Sequence, residues 1–291
     1  MSRNLKDAVV VVTGGATGIG QALAREAVER GARVMIADLE DATKTVEALR
    51  AIGGTVESMR TDMSDYADVQ RLAEATIDRW GTVNILCNNA GVAVLGGLRD
   101  TDPAAAKKLL EINVLGLFHG IHAFAPLLKK AAAAGGPAYI LNTGSEHSLG
   151  VPPHVAPMSI YTVSKFAALG LTETAQRDLA GDGIGVSLFA PGWVLTEKVR
   201  SIIAANPEAA AAIAPFAEDP ANVATKAFEG LLDGVLVIPT NPASREFAMA
   251  HARDVMAHVQ VLPVIDEPAS HAHDGSGDRS RCPVSHLLPA A

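Results

Sequence analysis

The sequence predicts an α/β fold built on a doubly wound parallel sheet, in a single domain with a helical substrate lid. Short continuous apolar runs, typical of strands buried on both faces, alternate along the chain with longer stretches of helical period. Strands that alternate with helices pair in parallel and place ligands at the carboxyl edge of the sheet. The predicted strands are residues 8–12, 33–37, 55–60, 83–87, 138–143, 185–190 and 235–238.

The segments between the strands have the apolar spacing of helices. Asp102-Pro103 supplies the N-cap and the first-turn proline of one of them. Residues 195–218 carry isolated apolar side chains among alanines and predict the helical lid. The other predicted helices include residues 21–30, 64–80, 102–129 and 242–259, and the apolar side chains of the lid are Ile202, Ile203, Ile213 and Phe216.

Length and composition predict one catalytic domain over residues 1–262 and a flexible tail over residues 263–291. The chain has 291 residues, of which 48% are hydrophobic and 19% charged, enough for one large core. The tail mixes glycine and serine with His271, His273 and Asp274, and the metal site that these residues would allow is disfavoured. We therefore predict no metal.

Charge and hydropathy exclude several classes of partner. The net charge is −8 and no basic patch is visible, which disfavours nucleic acid and anionic membranes. No secretory segment opens the chain, and no apolar stretch reaches the roughly 18 residues of a membrane helix, so we expect a cytoplasmic protein. Cys87 lies in a predicted strand and Cys282 in the tail, so we expect Cys87 to pack in the core and no disulfide framework.

A glycine-rich turn joins the first strand to the first helix, with the sequence Thr13-Gly14-Gly15-Ala16-Thr17-Gly18-Ile19-Gly20. Glycine lets the backbone approach a pyrophosphate, and the N–H groups of the helix start attract its charge. The spacing differs from the common dinucleotide fingerprint, so the turn is related to it and not the same. By itself the turn would also suit a tight loop with no ligand.

Asp38 ends the second strand, where an acid accepts hydrogen bonds from the ribose hydroxyls of adenosine. The position favours NAD over NADP, because a 2′-phosphate would meet a like charge and Thr17 supplies no compensating cation. The alternative is that Asp38 caps a helix before Asp41.

Tyr161 and Lys165 have the i, i+4 spacing that places two side chains on one face of a helix. An unperturbed tyrosine, with a pKa of about 10, is a poor proton carrier at neutral pH, and a nearby ammonium stabilises its phenolate. Taken alone, the pair could equally be a coincidence on an ordinary helix.

These patterns and four further motifs, in this order, make the chain resemble the short-chain dehydrogenase/reductase family over roughly residues 5–240. The further motifs are Asn88-Asn89-Ala90-Gly91, Asn113, Asn142-Thr143-Gly144-Ser145 and Pro191-Gly192-Trp193-Val194-Leu195-Thr196. The resemblance implies a Rossmann-like fold and an NAD-dependent oxidoreductase that interconverts a secondary alcohol and a ketone.

The resemblance implies a catalytic set of four residues. Tyr161 would be the general acid or base, and Lys165 would lower its pKa and hold the nicotinamide ribose. Ser145 would hydrogen-bond the substrate oxygen, and Asn113 would anchor a water that relays protons from Lys165.

The resemblance also implies the cofactor contacts. Asp62 would reach the adenine amino group with Met63 beside it, and Thr196 would lie near the carboxamide. The full implied set is Gly14, Thr17, Gly18, Ile19, Gly20, Asp38, Asp62, Met63, Asn89, Ala90, Gly91, Tyr161, Lys165, Pro191, Gly192, Val194 and Thr196.

The serine shows a departure from the family pattern. The catalytic serine of many members lies about a dozen residues before the tyrosine, whereas Ser145 lies 16 and Ser148 lies 13 residues before Tyr161. Because Ser145 ends the strand at 138–143, we assign it the catalytic role and interpret residues 149–158 as an enlarged loop. Ser148 is the alternative.

The predicted substrate residues are Ser145, His147, Tyr161, Trp193 and Phe216. The apolar lid indicates an apolar, alicyclic or aromatic alcohol, with Trp193 as a flat wall. His147 and His154 flank the enlarged loop, and the alternative for each is an ordinary surface histidine.

Two other functions are alternatives to a secondary-alcohol dehydrogenase. A reductase of 3-oxoacyl thioesters on a carrier protein would need a basic docking surface, for which Lys198-Val-Arg200 is a weak candidate. A non-catalytic NAD-binding sensor is disfavoured because the catalytic set is complete. The family often assembles through the helices that hold Asn113 and Tyr161, so we expect a homo-oligomer, either a dimer or a tetramer.

Overall fold

A computed structural model of the protein describes residues 4–262. Within them one sheet has the strand order β3-β2-β1-β4-β5-β6-β7, and every neighbouring pair is parallel. The order reverses between β1 and β4, which confirms the doubly wound fold and opens a crevice there. The strands are β1 (Val9–Thr13), β2 (Arg33–Asp38), β3 (Thr55–Arg60), β4 (Ile85–Asn88), β5 (Tyr139–Thr143), β6 (Gly185–Ala190) and β7 (Val237–Pro239).

Ten α-helices cover the described residues: α1 (Gly18–Glu29), α2 (Thr43–Ala51), α3 (Tyr66–Trp80), α4 (Pro103–Leu110), α5 (Gly116–Ala133), α6 (Ser159–Leu179), α7 (Glu197–Ala205), α8 (Pro207–Ile213), α9 (Pro220–Leu232) and α10 (Ser244–Val259). Their boundaries differ from the predicted ones by a few residues where caps decide them. Helix α3 begins at Tyr66 because the Asp65 carboxylate accepts from the backbone N–H of Ala67. Helix α1 begins inside the glycine turn.

The helix predicted over residues 102–129 is interrupted. Asp102 caps α4 as expected, accepting from the backbone N–H of Ala105. A π-helical turn, Glu111–Leu115, then joins α4 to α5. Such a turn holds one extra residue, which rotates the helix face, and such turns are frequent at functional sites. Asn113 lies in its middle and is only 1% exposed.

The stretch Pro103–Ala133 is long and apolar enough to cross a membrane by length and composition, which corrects the reading that no stretch qualifies. The C-terminal half of this stretch, helix α5, however, packs on the sheet. Phe124 and Leu128 are fully buried in a cluster with Val11 and Leu86. We interpret the stretch as a core helix of this domain.

Each face of the sheet is covered by its own helices. Along β1, Val10 and Val12 contact one cluster and Val11 the other, as the alternation of a strand requires. Cys87 is fully buried in the first cluster, and burial raises the pKa of its thiol to about 12. Cys87 is therefore a packing residue, as predicted.

The sheet belongs to a compact unit that ends at Ala252, and a second unit begins at Arg253. The boundary expected at residue 262 stays a prediction. The predicted tail, residues 263–291, with its histidines and Cys282, lies outside the described residues.

Candidate active site

A cavity of about 770 Å³ opens at the carboxyl ends of the strands, beside the point where the strand order reverses. Its size suits a small-molecule or cofactor site. Most of the predicted site residues line it: Gly14, Thr17, Gly18, Ile19, Gly20, Asp38, Asp62, Met63, Asn89, Ala90, Gly91, Ser145, Tyr161, Lys165, Pro191, Gly192 and Thr196.

The glycine turn has the geometry of a phosphate cradle. Gly14 and Gly18 have φ values of 62° and 61°, which residues with a Cβ rarely adopt. A Cβ on Gly20 would overlap the carbonyl oxygen of Gly14, so the turn tolerates no side chain there. Thr17 is the N-cap residue of α1, but its side chain makes no capping hydrogen bond. The N-terminus of the helix faces the cavity. These residues fit a dinucleotide pyrophosphate.

The segment after β4 braces this turn. Thr13 Oγ1 accepts from the backbone N–H groups of Asn89 and Ala90, at 2.9 and 3.0 Å. The Asn89 amide donates to the carbonyl oxygens of Thr13 and Gly14. The Asn89 side chain therefore holds the glycine turn in place and also lines the cavity.

Asp38 holds the turn from the other side. Its Oδ2 accepts from the backbone N–H of Ala16 at 2.9 Å, and its Oδ1 accepts from that of Glu40 at 3.0 Å. Helix α2 begins only at Thr43, whose N–H donates to Asp41. The alternative that Asp38 caps this helix is therefore wrong.

The charges along the cavity are separated by the strand order. Asp38, Glu40 and Asp62 lie on the side of β2 and β3, where all three line the wall. The two lysines that line it, Lys165 and Lys198, come from α6 and α7 on the other side, where Glu197 of α7 is the acidic residue of the lining. Ser64 donates to Asp62 and holds the pKa of that carboxyl below its ordinary value.

The catalytic residues meet where β5 ends beside α6. Ser145 and Tyr161 both line the cavity there, and the Ser145 side chain acts to lower the pKa of Tyr161. Lys165 is buried, and its Nζ donates to the carbonyl oxygen of Thr143 at 2.9 Å and lies 5.4 Å from the Tyr161 ring centroid. The i, i+4 pair is thus part of the site and not a coincidence of the helix.

Burial dominates the ionisation of this pair. It raises the pKa of Tyr161, the hydrogen bond from Ser145 opposes that rise, and the negative charge of Glu146 adds to it. Burial lowers the pKa of Lys165 to about 8. Lys165 is not among the causes of the Tyr161 shift, so the expectation that it lowers the pKa of Tyr161 stays a prediction.

The two candidate serines have different surroundings. Ser148 is fully buried, and its hydroxyl accepts from the backbone N–H of Ser145 and donates to the carbonyl oxygen of Lys165. Both functions of that hydroxyl are used inside the protein. Ser145 lines the cavity together with Tyr161, so the geometry favours Ser145 as the substrate-facing serine.

Five predicted residues are outside the cavity lining: Asn113, Val194 and the predicted substrate residues His147, Trp193 and Phe216. The Asn113 amide donates to the carbonyl oxygen of Val92 and to Ser164 Oγ, and its Oδ1 accepts from the N–H of Val92. The side chain thus fixes the loop after β4 against α6, and its water relay stays a prediction. The Val194 side chain is buried in the core and outside the cavity lining.

The model of the short chain dehydrogenase family matches residues 8–207. The chain belongs to the short-chain dehydrogenase/reductase family. It is 31% identical over 264 residues to a 1-deoxy-11-beta-hydroxypentalenate dehydrogenase of Streptomyces exfoliatus, covering 89% of this chain and 92% of that one. It is 33% identical over 208 residues to a rhamnolipid-biosynthesis 3-oxoacyl-[acyl-carrier-protein] reductase of Pseudomonas aeruginosa, covering 71% and 80%.

Solved structures agree with this membership. A short-chain dehydrogenase/reductase from Burkholderia phymatum in complex with NAD superimposes with a TM-score of 0.76 at 31% identity, covering 92% of this chain and all of that one. As a member of the short-chain dehydrogenase/reductase family, the protein is an oxidoreductase of alcohol and ketone groups with a nicotinamide dinucleotide cofactor.

Two histidines of this dehydrogenase, His147 and His154, are largely shielded from solvent. His147 is buried, its Nδ1 lies 2.8 Å from Thr162 Oγ1, and its ring meets the Tyr161 ring edge-on at 5.2 Å. Burial, with the charges of His154 and Lys165, lowers the pKa of His147 to about 4. The side chain of His154 is only 20% exposed. The alternative of ordinary surface histidines is therefore wrong for both.

The two ends of the lid are joined to each other by backbone hydrogen bonds. The backbone N–H of Glu218 donates to the carbonyl oxygen of Trp193, and that of Leu195 donates to the carbonyl oxygen of Glu218. Helices α7 and α8 lie between these anchors, as the predicted helical lid requires. Phe216, 37% exposed, packs against the ring of His154.

The sequence reading missed several residues of this site. Glu40, Ile112, Thr143 and Lys198 line the cavity. Glu146 follows Ser145 and is buried, and Phe247 of α10 packs on His154. Ile112 adjoins Asn113 and Thr143 belongs to the motif that holds Ser145, which was a usable signal. Phe247 lies far along the chain and no local pattern indicates it.

Proposed function

We propose that this dehydrogenase is NAD-dependent and interconverts an apolar, alicyclic or aromatic secondary alcohol and its ketone. The observation that carries the proposal is that Ser145, Tyr161 and Lys165 line one cavity whose other end is the glycine cradle, with Lys165 Nζ 5.4 Å from the centroid of the Tyr161 ring. The nicotinamide, when bound, accepts the hydride of the alcohol carbon or returns it to the ketone.

The protein's own residues handle the proton. In oxidation, the Tyr161 phenolate takes the hydroxyl proton of the alcohol, and in reduction the phenol returns a proton to the oxygen. Ser145 donates a hydrogen bond to that oxygen and supports the charge that develops on it. The buried ammonium of Lys165 lies on the ring side of Tyr161 and favours the phenolate when it is charged.

Three carboxylates support NAD over NADP. Asp38 and its neighbours Glu40 and Asp62 line the adenosine side of the cavity. A 2′-phosphate there would meet like charges, whereas ribose hydroxyls donate to carboxylates. Lys165 and Lys198 come from the opposite side, whereas Lys108 lies 3.9 Å from Asp62 and offsets part of its charge, so Asp38 and Glu40 are the carboxylates that a 2′-phosphate would meet.

Aromatic rings support an apolar substrate. His147 packs on Tyr161, and Phe216 and Phe247 lie 5.4 and 5.9 Å from the ring of His154. These rings come from the serine turn, the enlarged loop, the lid and α10, and the ring of His147 packs directly on the proton carrier Tyr161. Flat apolar surfaces of this kind bind alicyclic or aromatic groups.

A 3-oxoacyl thioester reductase is the second candidate, favoured by the similarity to the reductase of Pseudomonas aeruginosa. Its carrier protein would need the basic residues after Thr196. Arg200 Nε, however, donates to the carbonyl oxygen of Leu195, and Lys198 lines the cavity. Because both basic side chains are already engaged in this way, the secondary-alcohol function is better supported than the thioester reductase.

The test is reduced-cofactor formation over a panel of aromatic, alicyclic and steroid-like secondary alcohols. NAD is compared with NADP, and the parent protein with Tyr161→Phe. We expect NAD-linked turnover that disappears in the variant while NAD binding, measured by calorimetry, is retained. Turnover confined to 3-oxoacyl thioesters would establish the second candidate, and NAD binding without turnover in either direction would indicate a sensor.

We further propose that the protein is a cytoplasmic homo-oligomer that associates through α5, α6 and the turn before α5. These elements leave Leu115, Phe118 and Val163 about half exposed, an apolar surface suited to a second copy. Light scattering should give a dimer or tetramer that Phe118→Asp and Val163→Asp dissociate. A monomeric parent would remove this proposal.

A further inference from the structure

The segment that follows β7 is polar and buried, and the proposed mechanism gives it no task. Thr240 and Asn241 are each 6% exposed, although they stand just after the last strand. They also lie beyond residues 8–207, which the family model matches. Buried polar side chains are nearly always hydrogen-bonded, so their partners show what this segment holds in place.

Asn241 contacts two separate parts of the site. Its Nδ2 donates to the carbonyl oxygen of Phe216 in the lid at 2.7 Å, and its Oδ1 accepts from the backbone N–H of Ala243 at 3.0 Å. The same side chain packs on Gly192, which lines the cavity, because a Cβ on Gly192 would overlap the Asn241 amide. Asn241 therefore explains why no side chain fits at residue 192.

Thr240 holds the last residue of the lid. Its Oγ1 donates to Glu218 Oε2 at 2.7 Å. Lys226 Nζ donates to Glu218 Oε1 at 2.8 Å and to the carbonyl oxygen of Thr240 at 3.0 Å. The Glu218 side chain is only 13% exposed, and hydrogen bonds to an ionised group are stronger than neutral ones. The end of the lid is thereby fixed to the end of β7.

Both anchors act on one stretch of the cavity wall, residues 191–196. The backbone of Glu218 is bonded to this stretch at Trp193 and Leu195, and Asn241 packs on its glycine. Three residues of the stretch line the cavity, and the family resemblance places the nicotinamide against them. A displacement of the lid end or of Asn241 would therefore move the wall that faces the nicotinamide.

We propose that Thr240 and Asn241 are positioning residues that hold residues 191–196 and the end of the lid in the arrangement required for hydride transfer. Both act through other groups and neither lines the cavity. The inference rests on the proposed function, because it takes the nicotinamide to lie against residues 191–196 and the alcohol under the lid. A misplacement of about 1 Å can slow a reaction by about 100-fold, so a small displacement is enough.

The first experiment compares the binding of NAD and of ADP-ribose by calorimetry. ADP-ribose has the adenosine and pyrophosphate of NAD and lacks the nicotinamide, so its affinity does not depend on residues 191–196. In Asn241→Ala we expect the NAD affinity to fall about tenfold and the ADP-ribose affinity to stay unchanged. NADP and 2′-phospho-ADP-ribose replace this pair if the parent prefers NADP.

Asn84→Ala is the matched control for this variant. Asn84 is also 6% exposed, its Nδ2 donates to the carbonyl oxygen of Pro137, and its Oδ1 accepts from the backbone N–H of Val9. It precedes β4 and therefore lies at the opposite edge of the sheet. Its loss removes the same two hydrogen bonds, and neither the NAD nor the ADP-ribose affinity should change.

Thr240→Val keeps the proposal testable if Asn241→Ala fails to fold, as judged by circular dichroism. It removes the hydroxyl that donates to Glu218 and preserves the shape of the side chain. We expect the same selective loss of NAD affinity. Thr225→Val is its control, because Thr225 Oγ1 likewise donates to a carboxylate, that of Glu26, and this pair joins α9 to α1 away from the lid.

The second experiment measures turnover and the position of residues 191–196. In Asn241→Ala, kcat for alcohol oxidation should fall about tenfold while KM for the alcohol changes less. The chain has two tryptophans, so the emission of Trp193 is the difference between each protein and its Trp193→Phe counterpart. This emission should shift in cofactor-free Asn241→Ala and stay unchanged in Asn84→Ala.

The outcomes separate this inference from the proposed function. Equal losses of NAD and ADP-ribose affinity would show that Asn241 is merely structural and overturn the inference. An unchanged NAD affinity in folded Asn241→Ala and Thr240→Val overturns it as well, even if the enzyme oxidises alcohols. A selective loss of NAD affinity in a protein that oxidises no alcohol supports the positioning of residues 191–196 and removes the proposed function.

Discussion

The hydroxyl of Ser148 donates to the backbone carbonyl of Lys165 at 2.7 Å and accepts from the backbone N–H of Ser145. One buried side chain thus ties the turn that carries the serine to the helix that carries the tyrosine and the lysine. Because both of its bonds are internal, Ser148 sets the distance between the catalytic groups while Ser145 faces the cavity.

Substitution of each serine should separate these functions. Ser145→Ala should lower kcat/KM by about 100- to 1,000-fold, the usual loss for one donor to a developing oxyanion, with little change in melting temperature. Ser148→Ala should instead lower the free energy of unfolding by about 1–3 kcal/mol, because it leaves buried backbone groups without a partner. Steady-state kinetics and denaturant unfolding measure both. Full activity in Ser145→Ala with none in a folded Ser148→Ala would reverse the assignment.

The cofactor preference should depend on Asp38 and Thr17. Asp38→Ala combined with Thr17→Arg removes the repelling charge and adds a cation for a 2′-phosphate, so the ratio of kcat/KM for NAD to that for NADP should fall. Asp38→Ala alone should also weaken NAD binding, because the N–H of Ala16 loses its acceptor. Asp41→Ala is the control, since Asp41 accepts from Thr43 at the start of α2. An unchanged ratio in the double variant would remove Asp38 from the specificity site.

The glycine turn should bind NAD more weakly if Gly20, the glycine of the turn with the least room for a Cβ, is replaced by alanine. In Gly20→Ala the new Cβ would overlap the Gly14 oxygen and lie 2.7 Å from Asn89 Nδ2. We expect NAD affinity, measured by calorimetry, to fall about tenfold or more, equivalent to 1.4 kcal/mol. Gly170→Ala is the matched control, because open space surrounds Gly170 in α6, where alanine should stabilise the fold by about 0.5–1 kcal/mol. Normal NAD affinity in Gly20→Ala would mean that the cradle opens without cost.

Burial of His147 should make the fold sensitive to acid. The pKa of His147 is about 4 in the folded protein against an ordinary 6.5, so the unfolded chain binds the proton more readily between these values. The stabilisation is complete above pH 6.5 and is lost as the pH falls to about 4, by at most about 3 kcal/mol. His147→Asn should flatten the pH dependence of unfolding in that window, and His122→Asn, at an exposed position, should not. Equal slopes for the parent and His147→Asn would contradict the shift.

The glycine turn and the tyrosine–lysine pair could be predicted because their signals are local. Gly14, Gly18 and Gly20 are separated by a few residues, and the positive φ of Gly14 and Gly18 belongs to the backbone of a single turn. Tyr161 and Lys165 share a helix face through their spacing alone. For the same reason most strands, the N-cap at Asp102 and the core position of Cys87 were readable from short windows of sequence.

The rest needed contacts between distant segments. The sequence assigned Ser145 from its place at the end of a strand although Ser148 lies nearer the usual spacing, and the packing of α6 on the serine turn shows that the Ser148 hydroxyl is already engaged. The sequence left open whether the two histidines lie at the surface, because sequence does not show burial, and His154 packs against Phe216 and Phe247 from two other elements. The sequence by itself determined the fold, the family and the chemical groups of the site. Tertiary structure decided which serine faces the cavity and which way the pKa of Tyr161 moves, because desolvation and hydrogen bonding depend on every segment that surrounds a group.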